Sequence, residues 1–419
     1  MGSVCYDGNV MRHKIYTNVS IQFIFLIAIF LSLQVKAQEN TDDFKWFKGN
    51  THTHSYWSDG DDFPEMIMDW YKTHGYDFIC LSDHNTLAQG EKWKQIPAFP
   101  AHERRFAEYR KKYGEDWVTY EVDSAKRIKV KLKTLQEYAP LFEEKGKFLI
   151  IQAEEITDSF EKKPVHINAI NIKELILPRG GNSVAEVMQN NLDAVHEQRE
   201  RTAQAMFAHI NHPNFMWGIT LQDMMQLNGD RFFEIYNGHP LVHNYGDSTR
   251  PGTEEMWDYL LINCFNKNKP LVYGLATDDS HHYLTYSVKN SNPGRGYVMV
   301  KARELTSSSI IEAMESGNFY STTGVQLADI GFTKKTLTIK VEGETGVTYT
   351  IQFFGAKRND SKPRLLQEIN GLNAKYKLTK DDLYVRVKII SSKYQENPFR
   401  EGDFESAWTQ PVTLKKSAD

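Results

Sequence analysis

The sequence predicts an α/β barrel followed by a small all-β domain, and three observations carry that expectation. From Phe47 to about Tyr320, short apolar runs alternate with amphipathic stretches. After Gly324 the hydrophobic period changes to two. Between these patterns, histidines and carboxylates recur at the ends of the apolar runs, where barrel enzymes assemble their sites.

The strand-like runs are Phe78 to Leu81, Phe148 to Ile151, Val165 to Ile172, Ala205 to His209, Phe232 to Tyr236 and Leu271 to Ala276. Helical patterns cover Pro64 to Thr73, Val184 to Glu197, Glu254 to Phe265 and Thr306 to Met314. Strands alternating with helices imply a parallel sheet, and this many repeats imply a barrel. The charged, partly helical stretch from His102 to Tyr138 reads as an insertion over one end. In the tail, residues 336–341, 349–354 and 383–389 alternate apolar and polar side chains between Gly, Asn and Asp, the pattern of half-buried antiparallel strands. The expected organisation is an N-terminal segment over residues 1–37, a barrel over 44–324 and a sandwich-like β domain over 325–419.

Composition narrows the function. The 419 residues are 40% hydrophobic and 25% charged, ordinary for a folded chain. Fifty basic and 54 acidic side chains leave a formal charge of -4, which offers no footprint for a nucleic acid duplex and no polybasic membrane patch.

The N-terminus reads as a secretory signal. A basic start at Met11–Lys14 precedes an apolar stretch from Ile21 to Leu33, and Val35-Lys36-Ala37 places small residues before a cut at Gln38. The apolar core of roughly 13 residues is shorter than the ~20 that a membrane span needs. The expectation is a periplasmic or secreted protein with no stable membrane span after cleavage. An uncleaved anchor is the alternative. The residues before Met11 read as an upstream start, and the cut carries no cysteine for lipidation. Three cysteines exclude a disulfide framework. Cys5 would leave with the signal, and Cys80 and Cys264 sit in apolar runs that favour buried free thiols over a bridge.

The chemistry lies in the histidines. His52-Thr53-His54 places two imidazoles on one face of an extended segment, because residues i and i+2 of a strand share a face. Asp59 follows in Ser58-Asp59-Gly60. Ser82-Asp83-His84 follows the Phe78 run, Glu154 ends the next run, His166 lies in the one after, and His212 and Asp279-Ser280-His281 follow later ones. Histidines and carboxylates converging on one rim suit divalent Zn, Mn or Fe. His209 competes with His212, and Asp278 with Asp279. Asp83 and Asp278 read as supports behind the ligands, with a simple turn carboxylate as the alternative for Asp83.

With these motifs in this order, the chain resembles the polymerase and histidinol phosphatase (PHP) superfamily of metal-dependent phosphoesterases over roughly Phe47 to Gly324. The resemblance implies a distorted (β/α)7 TIM-like barrel with two or three divalent metal ions. His52, His54, Glu154 and Asp279 would hold the first ion. Glu154 would bridge to a second, completed by His166 and His212, and Asp59, His84 and His281 would hold a third. The motif pairs Asp279 with His281 and His212 with Pro213. Glu154, Asp279 and His281 are the implied catalytic residues, acting with a hydroxide shared between metals. His239 and Arg295 are candidate substrate contacts, Arg295 by gripping a phosphate, with a loop histidine and a solvated arginine as the alternatives, and Arg179 is a third candidate. His74, His102, His196 and His243 match no motif.

The expected activity is hydrolysis of a small phosphomonoester or phosphodiester, phosphate scavenging outside the inner membrane being the role that suits the export signal. The alternatives are an amide, ester or lactone hydrolase on the same centre, and a non-catalytic glycan- or envelope-binding protein. Trp408 could serve the latter as a stacking platform, against a core tryptophan. Export argues against a histidinol-phosphate or polymerase-associated role. The substrate and the oligomeric state are not encoded in these motifs.

Overall fold

The computed structural model describes residues 1–3 and 44–414. The signal segment and Cys5 lie outside the described residues. Among those described, no helix is long and apolar enough to cross a membrane.

In chain order, β1 (Lys45–Asn50), α1 (Pro64–Thr73) and β2 (Phe78–Leu81) lead into an insertion made of β3 (Trp93–Gln95), α2 (Pro100–Tyr113), β4 (Tyr120–Val122), β5 (Ile128–Lys131) and α3 (Leu135–Phe142). Then come β6 (Leu149–Phe160), β7 (Lys163–Ile170), α4 (Val184–Thr202), β8 (Phe207–Ile210), α5 (Leu221–Met224), β9 (Phe232–Asn237), α6 (Thr253–Lys267) and β10 (Tyr273–Thr277). β11 (Tyr297–Ala302), α7 (Ser307–Glu315) and β12 (Phe319–Thr322) precede the all-β tail. The tail comprises β13 (Leu327–Thr333), β14 (Thr336–Val341), β15 (Tyr349–Lys357), β16 (Arg364–Asn370), β17 (Asn373–Lys377), β18 (Asp382–Tyr394) and β19 (Phe404–Thr409).

The helices start where the local chemistry directs. Pro64 opens α1 at a position whose N–H would be unpaired anyway. Ser183 caps α4 by accepting from the Glu186 N–H, and Thr306 caps α7 through Ser309. Residues of β2 are buried on both faces, as an apolar run in a parallel ladder requires.

The main sheet is mixed rather than parallel throughout. β1, β2 and β6 are parallel neighbours, as are β8, β9 and β10. Between the two sets, β7 runs antiparallel to both β6 and β8. The reversal has a local cause: Glu161 and Lys162, both at positive φ, turn β6 directly into β7, the two-residue hairpin turn that matches strand twist. No ladder joins β1 to β10 among the described residues. Their C-terminal extensions meet at one parallel bridge, Thr53 with Ser280, supported by His54 N–H to Ser280 O at 3.0 Å and Asp279 N–H to His52 O at 3.1 Å.

Side chains from successive strands fill the space below that bridge: Phe47, Phe78, Cys80, Ile151, Phe207 and Leu275 share one apolar cluster. Above it, at the C-terminal ends of β1, β2 and β10, the interior turns polar. Cys80 and Cys264 are buried free thiols, and burial pushes the Cys264 thiol up to about 12.

The insertion begins earlier than its charged stretch suggests, because β3 pairs with β5 and β5 with β4 in a separate three-stranded sheet. In the tail, β19 pairs with β12 and so continues the main sheet through β18, β15 and β16, while β13, β14 and β17 form a third sheet. Leu337 and Ile339 from the third sheet share a core with Ile351, Phe353, Val387 and Ile389 from the main one. Arg386 of β18 pairs with Asp258 of α6 at 2.6 Å and with Glu254 at 3.1 Å. Trp408 is buried, its ring 6.0 Å from that of Tyr236, so it is a core tryptophan and not an open platform.

Candidate metal centre

The extension of β1 carries His52 and His54 on one face, and Asn50 braces it by donating to His52 O at 3.0 Å and Thr53 Oγ1 at 2.8 Å. The two Nε2 atoms lie 3.1 Å apart, and each is 3.2 Å from Asp279 Oδ1. Asp279 and His212 both sit at positive φ in the segments following β10 and β8. That conformation is uncommon outside glycine and concentrates at functional sites.

The carboxylate at the middle of the cluster is Glu155. Its Oε2 lies 2.7 Å from His84 Nδ1 and 3.5 Å from His54 Nε2, and its Oε1 lies 3.0 Å from His166, 3.3 Å from His212 and 3.5 Å from His52. Glu154 is not brought to the cluster. On β6, Ile151 and Ala153 point into the interior and Glu155 continues that row, whereas Glu154 lies on the other face. There Glu154 accepts from Ile176 N–H at 2.7 Å, and burial pushes its carboxyl up to about 8. β6 also runs on to Phe160, so both glutamates lie within the strand and not at its end.

Four overlapping groups could each hold a metal ion, their ligand atoms lying within 4.8 Å of one another: His54, Asp59, His84 and His281; His52, His54 and Glu155; His52, His212 and Asp279; and His84, Glu155 and His166. The sequence candidates His52, His54, Asp59, His84, His166, His212, Asp279 and His281 therefore converge. His209 lies deeper: it is fully buried, 3.8 Å from Glu234, and belongs to none of the four groups.

The buried carboxylates of the cluster face imidazoles. Every ion pair of Glu155 and Asp279 among the described residues is to an imidazole. Burial alone would raise both carboxyls, but the surrounding imidazoles overrule it and hold both well below the usual range. Burial, with His281 and His84 alongside, lowers His54 to about 3, which leaves its ring neutral.

Several supports were not legible as motifs. Glu234 of β9 lies 2.7 Å from His52 Nδ1 and accepts from Thr277 Oγ1, Asn237 Nδ2 and the His212 N–H. A lone acid inside the apolar run Phe232-Phe233-Glu234-Ile235-Tyr236 was the available signal. Asn211 donates to Glu155 Oε1 at 2.7 Å and to Asn168 Oδ1 at 2.9 Å.

Asp83 accepts from Ser55 N–H, Ser55 Oγ and Ser58 Oγ, so it holds the segment before Asp59. Asp278 accepts from Tyr71 and from the N–H groups of Gly294, Arg295 and Gly296, fixing the chain before β11. Arg295 is not available as a phosphate clamp. It is 1% exposed, and its guanidinium donates to the carbonyls of Gly238, Ser287 and Asn290. Arg179 pairs with Glu197 on the surface. His239 does stand at the rim, its ring centroid 5.6 Å from that of His281 and 5.5 Å from that of Phe215. His74, His102, His196 and His243 belong to none of the four groups.

No family model matches the chain, and no curated protein does. Solved structures do. The chain is similar to a two-domain protein from Bacteroides vulgatus containing a predicted PHP-like metal-dependent phosphoesterase, at 15% identity and a TM-score of 0.39, covering 88% of this chain and 96% of that one. It is also similar to a Bifidobacterium adolescentis protein assigned to the metal-dependent phosphoesterases, at 12% identity and a TM-score of 0.26, covering 56% of this chain and 87% of that one. A third is an amidohydrolase from Chromobacterium violaceum with bound sulfate and no metal, at 11% identity and a TM-score of 0.28, covering 56% and 87%.

Proposed function

We propose that this chain is a metal-dependent hydrolase of the PHP type, exported through its N-terminal signal, that cleaves a small phosphomonoester or phosphodiester. The observation that carries the reading is the convergence of six histidines with Asp59, Glu155 and Asp279 into four overlapping ligand groups. The donor set fits hard-to-borderline divalent cations such as Zn, Mn or Fe, being imidazole nitrogen and carboxylate oxygen. On this reading the seven strands meeting around the cluster are a distorted (β/α)7 barrel to about Gly324, and the strands beyond it a sandwich-like domain.

Each residue has work to do in that scheme. Glu155 presents its two oxygens to different histidines and would be shared between neighbouring ions, the role the motif reading gave to Glu154. Glu234 accepts the His52 Nδ1 proton, which fixes the tautomer and turns the Nε2 lone pair toward the cluster. Asn211 orients Glu155. Asp279 and His281 line the face nearest His239, where a leaving group would depart. Bound divalent metals would supply Lewis-acid polarisation of the phosphoryl oxygen and acidify water.

A second reading, hydrolysis of an amide, ester or lactone, is favoured by two observations. Arg295 is engaged elsewhere, and the Phe215 ring lies 5.0 Å from His212, giving the site an apolar wall. The test is turnover by the metal-loaded chain from about Gln38 on phosphomonoesters, phosphodiesters and carbonyl esters, beside a His52→Ala, His54→Ala variant. Variant-sensitive phosphate release supports the first reading. Ester cleavage without it supports the second, and absence of bound metal overturns both.

A further inference from the structure

The insertion contributes no ligand-type side chain to the cluster, yet it grips the segment that does. Lys92, just before β3, and Lys94 within it lie two residues apart, and both ammonium groups reach the same neighbouring segment. Lys94 Nζ donates to Ser58 O at 2.9 Å, and Lys92 Nζ donates to Trp57 O. These are the two consecutive carbonyls immediately before Asp59. Trp57 Nε1 returns a bond to Lys133 O at 3.1 Å. Tyr56 and Trp57 are themselves buried in the insertion's core with Phe106, Val130 and Leu132. From the opposite side Asp83 holds Ser55 and Ser58.

Asp59 needs that grip. Its side chain is 58% exposed, yet its Oδ1 faces His281 at 3.4 Å, His84 at 3.5 Å and His54 at 3.8 Å. An exposed carboxylate on a turn samples many orientations, and fixing it costs conformational entropy. Exposed ion pairs return little of that cost. Asp59 is also the one carboxylate of the group formed with His54, His84 and His281.

We infer that Lys92 and Lys94 are positioning residues for Asp59, and that the inserted sheet thereby sets how tightly the outermost metal position is held. The inference rests on the metal-centre reading above. The sign of the effect separates positioning from charge. Removing two ammonium groups near a cation site strengthens cation binding by Coulomb's law, whereas releasing the Asp59 segment weakens it.

The experiment is titration of the purified chain with Mn(II) by calorimetry, with elemental analysis of the dialysed protein, for the unaltered chain, K92M, K94M, K92M/K94M, D59N and D59N/K92M/K94M. Circular dichroism confirms the fold of each. The expected result is a weakest-held metal equivalent bound at least tenfold more loosely in K92M/K94M, the tighter equivalents being unchanged. D59N should show the same loss, and adding the lysine changes to D59N should shift it by less than twofold. Lys94→Arg should restore binding in the K94M position. Unchanged or tighter binding of every equivalent by K92M/K94M overturns the inference and leaves the metal centre standing. An unaltered chain that binds no metal overturns both.

Discussion

Glu234 Oε1 lies 2.7 Å from Nδ1 of His52, and both side chains are fully buried. A carboxylate behind a ligand imidazole fixes the ring's tautomer and orientation, and its loss costs about 10–100-fold in metal affinity or activity in other sites. Glu234→Gln preserves shape and the contact to Thr277 while removing the charge. The expected outcome is about 10–100-fold weaker metal binding with the chain still folded, measured by calorimetry beside a thermal melt. Metal affinity equal to the unaltered chain's would exclude the orienting role.

Glu154 and Glu155 make a second test, because they are adjacent and lie on opposite faces of β6. Glu155→Ala should abolish binding of the most tightly held metals and with it turnover. Glu154→Gln should leave metal stoichiometry unchanged, because its carboxyl meets Ile176 N–H and not the imidazoles. Elemental analysis of both variants decides the matter, and metal loss confined to Glu154→Gln would reverse the assignment.

That pair also shows where the sequence stops being legible. The histidine motifs were readable because each candidate ligand follows or interrupts an apolar run, and the fold brings His52, His54, His84, His166, His212 and His281 together. Choosing between Glu154 and Glu155 required the phase of the strand, since a shift of one residue exchanges faces. The phase was present in the inward row Ile151 and Ala153 with Gln152 between them, but Phe148 and Ile150 make the start of the other row apolar too, so the run does not alternate cleanly. The antiparallel β7 was hidden for a different reason. Glu161-Lys162 carries none of the Asn-Gly chemistry that marks a two-residue hairpin. Arg295, a candidate substrate contact in Pro293-Gly294-Arg295-Gly296, gave no sign of its structural role, and only the folded chain shows three carbonyls converging on it.

Acid stability should depend on the contact between α6 and β18. Burial raises the Glu254 carboxyl, but Lys388 and Arg386 overrule it and bring it down to about 2. A depressed carboxyl contributes stability that is present above its ordinary value near 4.5 and is lost as pH falls toward 2. Glu254→Gln should therefore lower the melting temperature at pH 7 and flatten its decline between pH 5 and pH 2 (about the two pKa values, by linkage). Parallel melting curves for the two proteins across that range would remove Glu254 from the account.

Arg386 itself is the more severe position. It is buried between Asp258 at 2.6 Å and Glu254 at 3.1 Å, and Tyr384 donates to Asp258 at 2.8 Å. Removing one partner of a buried pair leaves the other charge uncompensated, at about 3–5 kcal/mol. Arg386→Met should destabilise by that order, whereas Arg386→Met with Asp258→Leu and Glu254→Gln should recover much of the loss, because no carboxylate is then left without its buried cation and only the partly exposed Lys388 loses a partner. Urea denaturation of the single and triple variants measures the difference. A triple variant no more stable than the single one would mean that the cluster holds α6 against β18 by its hydrogen-bond geometry, with charge compensation a minor part.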